Sequence, residues 1–163
     1  MTQVLFWNCG GGPSDRKVHW LIEQQWDVAI VVECSKRGSE RLTGYAEQQA
    51  WQVSSSALEV PPHGRGRRYG VTLLTRETAS LEAAVTPPAL RGRFAERIWA
   101  AAVTDPEIGV VTVAGFHAPH GGGDQIDKEE AYRLVTEWLS CYSRASRFWH
   151  GFEHLDGWGP RGH

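Results

Sequence analysis

Long apolar runs are missing from this sequence. No stretch approaches the ~20 residues that a helix needs to cross a bilayer, which excludes a helical membrane span. The N-terminus lacks the basic-then-apolar pattern of a secretory signal. Cysteine is scarce: Cys9, Cys34 and Cys141 are an odd set without C-x-x-C spacing. That excludes a disulfide framework and a four-ligand zinc site, and it predicts a reducing, cytoplasmic setting. Surplus charge is also lacking. The net charge of −2 gives no global positive field to draw nucleic acid or an anionic membrane. What is present is enough to fold: 163 residues, 41% of them apolar, fit one domain with a sizeable core. The eight tryptophans suit a core or an interface and assign no function.

Periodicity orders the chain. Residues 3–8 read as a strand ending VLFWN, and a helix with Val18, Leu21 and Ile22 on one face follows Pro13-Ser14. VAIVV, Val28 to Val32, is a continuous β-branched run, as expected of a strand covered on both faces. Residues 38–50 predict a helix, WQVSSS a short strand, and YGVTLLTR (69–76) and SLEAAV (80–85) two more. RIWAAAVTD (97–105) and GVVTVAGFH (109–117) predict a hairpin closed by Pro106, Glu107, Ile108 and Gly109. Residues 125–143 predict a helix with Leu134, Val135, Trp138, Leu139 and Tyr142 on one face. Helices early and hairpins later predict an α/β (α+β) layered sandwich with mixed sheets. After Arg144 no period of either kind is visible, and no returning strand is expected there.

Chemistry is expected where buried strands end on polar residues, since ligand sites of open α/β sheets lie outside the carboxyl ends of strands. Three such ends stand out: Asn8, Glu33 in IVVEC, and His117 in FHAPHG. Strand directions could bring all three to one edge. A carboxylate ending a core strand needs a partner, because an isolated buried charge is very costly. Glu33 could hold Mg²⁺ or Mn²⁺ with the Asn8 amide, both being hard oxygen ligands. It could equally pair with Lys36 or Arg37 at the surface. Asn8 could instead cap a turn before Gly10, and His117 could be a hydrogen-bonded histidine. GRGRR (64–68) could touch a phosphate backbone or be a solvated loop, and His150 and His154 are four apart among glycines that disfavour a helix.

Taken together, VLFWN, DVAIVVE, YGVTLLTR, RIWAAAV and VVTVAGFHAPHG resemble the endonuclease/exonuclease/phosphatase superfamily, the deoxyribonuclease-I-like fold, over about residues 3–145. The resemblance implies a four-layer α/β sandwich and metal-assisted hydrolysis of a phosphate ester. The substrate would be a nucleic acid, a phospholipid or a small phosphate ester, and the cofactor Mg²⁺ or Mn²⁺. It implies that Glu33 ligates the metal, and that Asn8 sits beside the metal and positions phosphate or the attacking water. His117 would contact the scissile phosphate. Arg97 and Tyr69 are weaker candidates at the same edge, a surface charge and a core aromatic being the plainer readings.

The departures matter as much. The family's Gly-Asp-x-Asn and Ser-Asp-His motifs, the latter carrying its base, are absent; Asn8 is the one asparagine, Asp156 stands in LDGW, and His163 lacks a preceding Ser-Asp. Residues 1–145 therefore read as the N-terminal part of such a domain, incomplete at the C-terminus. Residues 146–163 are an irregular stretch, either genuine or out of frame. Back-translated WHGFEHLDG, read one base later, permits Gly-Thr-Asp-Ser-Asn-Thr-Trp-Thr, close to the first missing motif. A weakly active or inactive enzyme chain is expected, with a non-catalytic metal- or phosphate-binding remnant as the alternative.

Overall fold

The computed structural model describes residues 2–59, 69–77, 79–84, 96–107, 109–118, 125–142 and 148–149. GRGRR, His150, His154, Asp156 and His163 lie outside them. Strands β1 (Val4–Asn8), β2 (Val28–Cys34), β3 (Gln52–Ser55) and β4 (Gly70–Thr75) form one sheet in the order β1-β2-β4-β3. β1 and β2 are parallel, joined through α1 (Asp15–Glu23), and the other pairings are antiparallel. Helix α2 (Lys36–Gln48) joins β2 to β3, and a single turn, α3 (Ser56–Glu59), follows β3. The second sheet has the order β5-β6-β7-β8, from β5 (Ser80–Ala84), β6 (Ile98–Asp105), β7 (Gly109–Phe116) and β8 (Phe148–Trp149). Its first two pairings are antiparallel, and β8 returns parallel to β7 after α4 (Gln125–Tyr142). Both sheets are mixed, as the element order predicts.

The pleat explains the layers, because successive side chains point to opposite faces. On β2, Val28, Ile30 and Val32 face the second sheet, where they meet Val71 and Leu73 of β4, Trp99, Ala101 and Val103 of β6, and Val111 and Val113 of β7. Ala29 and Val31 face the other way, onto Val18 and Leu21 of α1 and Leu42 and Ala46 of α2. Covered on both sides, β2 is apolar at every position up to its end. α4 covers the outer face of the second sheet through Ala131, Val135 and Trp138, packed on Ile98 and Ala100. The result is four layers: helices, sheet, sheet, helix. The sheets approach closely at Gly115, where an added Cβ would lie 2.5 Å from Val71 Cγ1 and 2.6 Å from Ile30 Cγ2.

Two details differ from the sequence expectation. α2 begins at Lys36 rather than 38, because Ser35 caps it by accepting from Gly38 N–H at 3.1 Å. The stretch expected to lack a returning strand contains one of two residues, Phe148–Trp149, laid against Thr112 and Val113.

Candidate active site

β1 and β2 run in parallel, with Asn8 opposite Val32, so both strands deliver their carboxyl ends to one end of the sandwich. β2 then does something its sequence does not announce. Its register with β4 runs regularly to Val31↔Thr72 and resumes at Cys34↔Gly70. Val32 and Glu33 thus stand against Val71 alone, which is a β-bulge. Glu33 takes the extra step with φ +56°, in the left-handed region that L-residues other than glycine rarely visit.

The bulge exchanges the faces of the strand. By alternation Glu33 would follow Ala29 and Val31 toward the helices. Instead Cys34 joins the helix-side cluster, and Glu33 meets His117 of the second sheet. His117 arrives there by plain alternation: Val111, Val113 and Gly115 of β7 all face the first sheet, and His117 is the next in that row. Its Nδ1 lies 3.5 Å from Glu33 Oε1, with 6% and 11% of the two side chains exposed. This pair ties the two sheets together where their core ends. Lys36, a partner considered for Glu33, reaches Glu40 instead, at 4.0 Å.

The Glu33 backbone is held from the β1 side. Its carbonyl accepts from Gly11 N–H at 2.8 Å and from the Cys9 thiol at 3.3 Å. Asn8 turns its amide oxygen onto Gly10 N–H at 3.0 Å, so the oxygen that a cation would need is engaged in a turn. Gly12, at φ +137°, must be glycine, because a Cβ would fall 2.9 Å from Ser35 Oγ. Tyr69 leans over this loop, its ring edge 3.3 Å from where a Cβ on Gly11 would stand. Arg97 is half-buried; its carbonyl accepts from His117 N–H at 2.8 Å, and its Nη1 donates to Ala118 O at 3.4 Å. The structure therefore gathers Asn8, Glu33, Tyr69, Arg97 and His117 at one edge, with His117 against the Glu33 carboxylate and Asn8 in the adjoining turn.

Sequence reasoning missed what lies beneath. Ser39 of α2, Ser55 of β3 and Thr72 of β4 form a triangle of hydroxyls, 3.0, 3.0 and 2.8 Å on a side, none more than 1% exposed. The SSS run after WQV is the faint signal that was available. Cys34, next in the chain to Glu33, and Cys9 are both free and both buried. The Cys9 thiol donates to Cys34, which together with burial pushes Cys9 up. Cys34 is pushed down to about 7, first by that hydrogen bond and then by those from Ser39 and Thr72, against the opposing effect of burial.

Among the described residues no three His, Cys, Asp or Glu side chains converge on a point. One buried-edge carboxylate is a donor set that Mg²⁺ accepts, since that ion keeps several waters and uses one or two carboxylates plus substrate phosphate. It does not suit a closed zinc site. The residues present thus fit a largely hydrated Mg²⁺ or Mn²⁺ on Glu33.

No family model matches the sequence, and no curated protein does. Solved structures do. A variant of the 3′ phosphatase NExo from Neisseria, bound to a product DNA hairpin, superposes with TM-score 0.66 at 15% identity, over 90% of this chain and 54% of that one. Truncated TDP2 from Caenorhabditis elegans gives 0.64 at 10%, over 88% and 57%. The endonuclease/exonuclease/phosphatase from Beutenbergia cavernae gives 0.59 at 17%, over 83% and 43%. The chain spans about half the length of these structures.

Proposed function

We propose that this chain, which has the fold of the endonuclease/exonuclease/phosphatase superfamily, carries a metal-assisted phosphate-ester hydrolase site centred on Glu33 and His117. The observation that supports it is the bulge at Glu33, where a strained backbone turns a carboxylate onto His117, just past the end of β7. Strain of this kind costs about 1–3 kcal/mol and persists where function or surrounding structure demands it. A divalent cation held by Glu33 would supply Lewis-acid polarisation of a phosphoryl oxygen.

The chain's own residues then divide the remaining work. His117 donates a hydrogen bond to a non-bridging phosphate oxygen, with Glu33 beside its Nδ1 to orient the ring. Arg97 adds a cation for the same phosphate. Asn8, holding the Gly10 turn, orients phosphate or the attacking water. The Ser-Asp-His motif that carries the family's base is absent from the sequence. Turnover by these 163 residues alone is therefore weak, and a chain that binds cation and phosphate without turning over is the second reading, favoured by the same observation. The substrate is a nucleic acid end, a phospholipid or a small phosphate ester. A 3′-phosphorylated DNA end is the first to try, since the Neisseria structure holds a DNA product.

The test is Mn²⁺ binding, read by electron paramagnetic resonance, beside Mg²⁺-dependent hydrolysis of a generic phosphodiester and of a 3′-phosphorylated DNA end. Binding lost in Glu33→Ala, with any hydrolysis falling at least ~100-fold, supports the site. Fast turnover that EDTA abolishes refutes the weak-activity reading. No binding at all removes the metal site. Sequencing the coding DNA from about codon 140 past the stop shows whether a shifted frame opens into Asp-x-Asn and Ser-Asp-His.

A further inference from the structure

We infer that the buried hydroxyl triangle of Ser39, Ser55 and Thr72 is positioning machinery for Glu33, acting through Cys34 and Cys9. The inference rests on the reading of Glu33 as the cation-holding carboxylate.

Three elements meet at the triangle: α2, β3 and β4. Such a cluster is expensive to bury unless every member is bonded, and packing alone would be served by valine and alanine. Ser39 and Thr72 also lie within hydrogen-bonding reach of the Cys34 sulfur, and the Cys9 thiol, beside Cys34, donates to the Glu33 carbonyl at 3.3 Å. Cys34 is the residue at which β2 regains register after the bulge, so its position sets where the extra residue must fit. Thr72 is also the β4 partner of Val31, the last residue in register before the bulge. The triangle therefore grips both sides of the bulge: Val31 through its β4 partner, and Cys34 through its sulfur. Glu33, between them, has no freedom to relax from φ +56° into an ordinary strand conformation. Relaxation would return its carboxylate to the helix side, away from His117.

Thr72→Val tests this, because valine keeps the shape and removes the hydroxyl, and Thr72→Ser restores the hydroxyl. Leu74→Ala, in the same strand and the helix-side core, is the control for plain destabilisation. Three quantities are read on each folded full chain: melting temperature, Mn²⁺ affinity, and the Glu33 amide-to-Hα coupling by ¹⁵N NMR, which reports positive φ. Thr72→Val is expected to weaken Mn²⁺ about tenfold, as loss of groups supporting a metal ligand does, and to shift the Glu33 coupling. Thr72→Ser is expected to match wild type in both. Leu74→Ala is expected to lower the melting temperature while leaving Mn²⁺ affinity within about twofold. If Thr72→Val behaves like Leu74→Ala, with coupling and affinity unchanged, the triangle is structural and the inference falls. If wild type binds no Mn²⁺, the metal reading falls, and the Glu33 coupling still decides the positioning. Should Thr72→Val fail to fold, Ser55→Ala at the far corner is read in the same way.

Discussion

Where β2 and β7 finish, the sandwich holds a left-handed glutamate, three glycines with positive φ and a buried carboxylate–imidazole pair. Where β2 begins, the first sheet and its helix layer are closed by Arg76. Its Nη2 donates to Ile22 O at 3.0 Å and Gln24 O at 2.7 Å, closing the carbonyl end of α1. Its guanidinium lies 4.4 Å from the Trp26 ring centre and 5.5 Å from that of Trp51, and the two indoles meet at 4.8 Å. Trp26 adds its own N–H to Leu21 O at 2.9 Å. One charge at this end thus satisfies two carbonyls of the kind that every helix terminus leaves over, and it stacks on two aromatic faces. A cavity of about 510 Å³ opens here, against Asp27, Arg76 and Glu77. The contrast teaches that the polar groups of the two ends serve different purposes. At one end they complete the packing. At the other they oppose the local preferences of the chain, and only the surroundings hold them.

Substitutions at three positions break or sharpen this contrast. Arg76→Met should be the costliest: it deletes two charge-assisted bonds and the stacking, about 3 kcal/mol in all. Chemical denaturation measures the loss, and Mn²⁺ affinity should stay at the wild-type value, since the site lies at the far end. Gly115→Ala strikes the joint between the ends, forcing a methyl against Val71 and Ile30. It should cost about 2 kcal/mol by overpacking. It should also weaken Mn²⁺ binding by moving His117, two residues on, away from Glu33; an unchanged affinity would show that the two sheets are less tightly coupled there. The smallest effect is the most diagnostic. Glu33→Gly and Glu33→Ala both remove the carboxylate, so their difference isolates the backbone. In an ordinary strand glycine is the weaker by about 0.5–1 kcal/mol. At φ +56° the order should reverse, with glycine the more stable by about 1 kcal/mol. Alanine the more stable would mean that the strain is absent in solution.

Much of the frame was legible because burial on two faces leaves a plain mark. VAIVV could be read as a covered strand, and the hairpin of β6 and β7 followed from two apolar runs around Pro106 and Gly109. Glu33 and His117 stood out for the converse reason, as polar residues ending such runs. Their meeting was not legible. A bulge that uses glycine announces itself; one that uses glutamate does not, and simple alternation would have sent Glu33 toward the helices. The hydroxyl triangle was hidden for a similar reason, since Ser39, Ser55 and Thr72 are far apart in the chain and each is ordinary where it stands. Asn8 carried two readings from the start, and its oxygen is found in the turn. The one-turn α3 was too short to show a period.

Strand β2 can be described as a repeating signal with a single phase slip. Before Val32 its odd positions face the helices, and after it the even ones do. What creates the meeting of Glu33 and His117 is thus a count of residues between Val31 and Cys34, rather than the identity of any of them. Removing one residue there would leave every neighbouring side chain chemically intact and would repair the ladder, yet it would erase the contact. A position-by-position comparison of residue types is blind to that kind of change, whereas an alignment that tracks single-residue gaps would detect it.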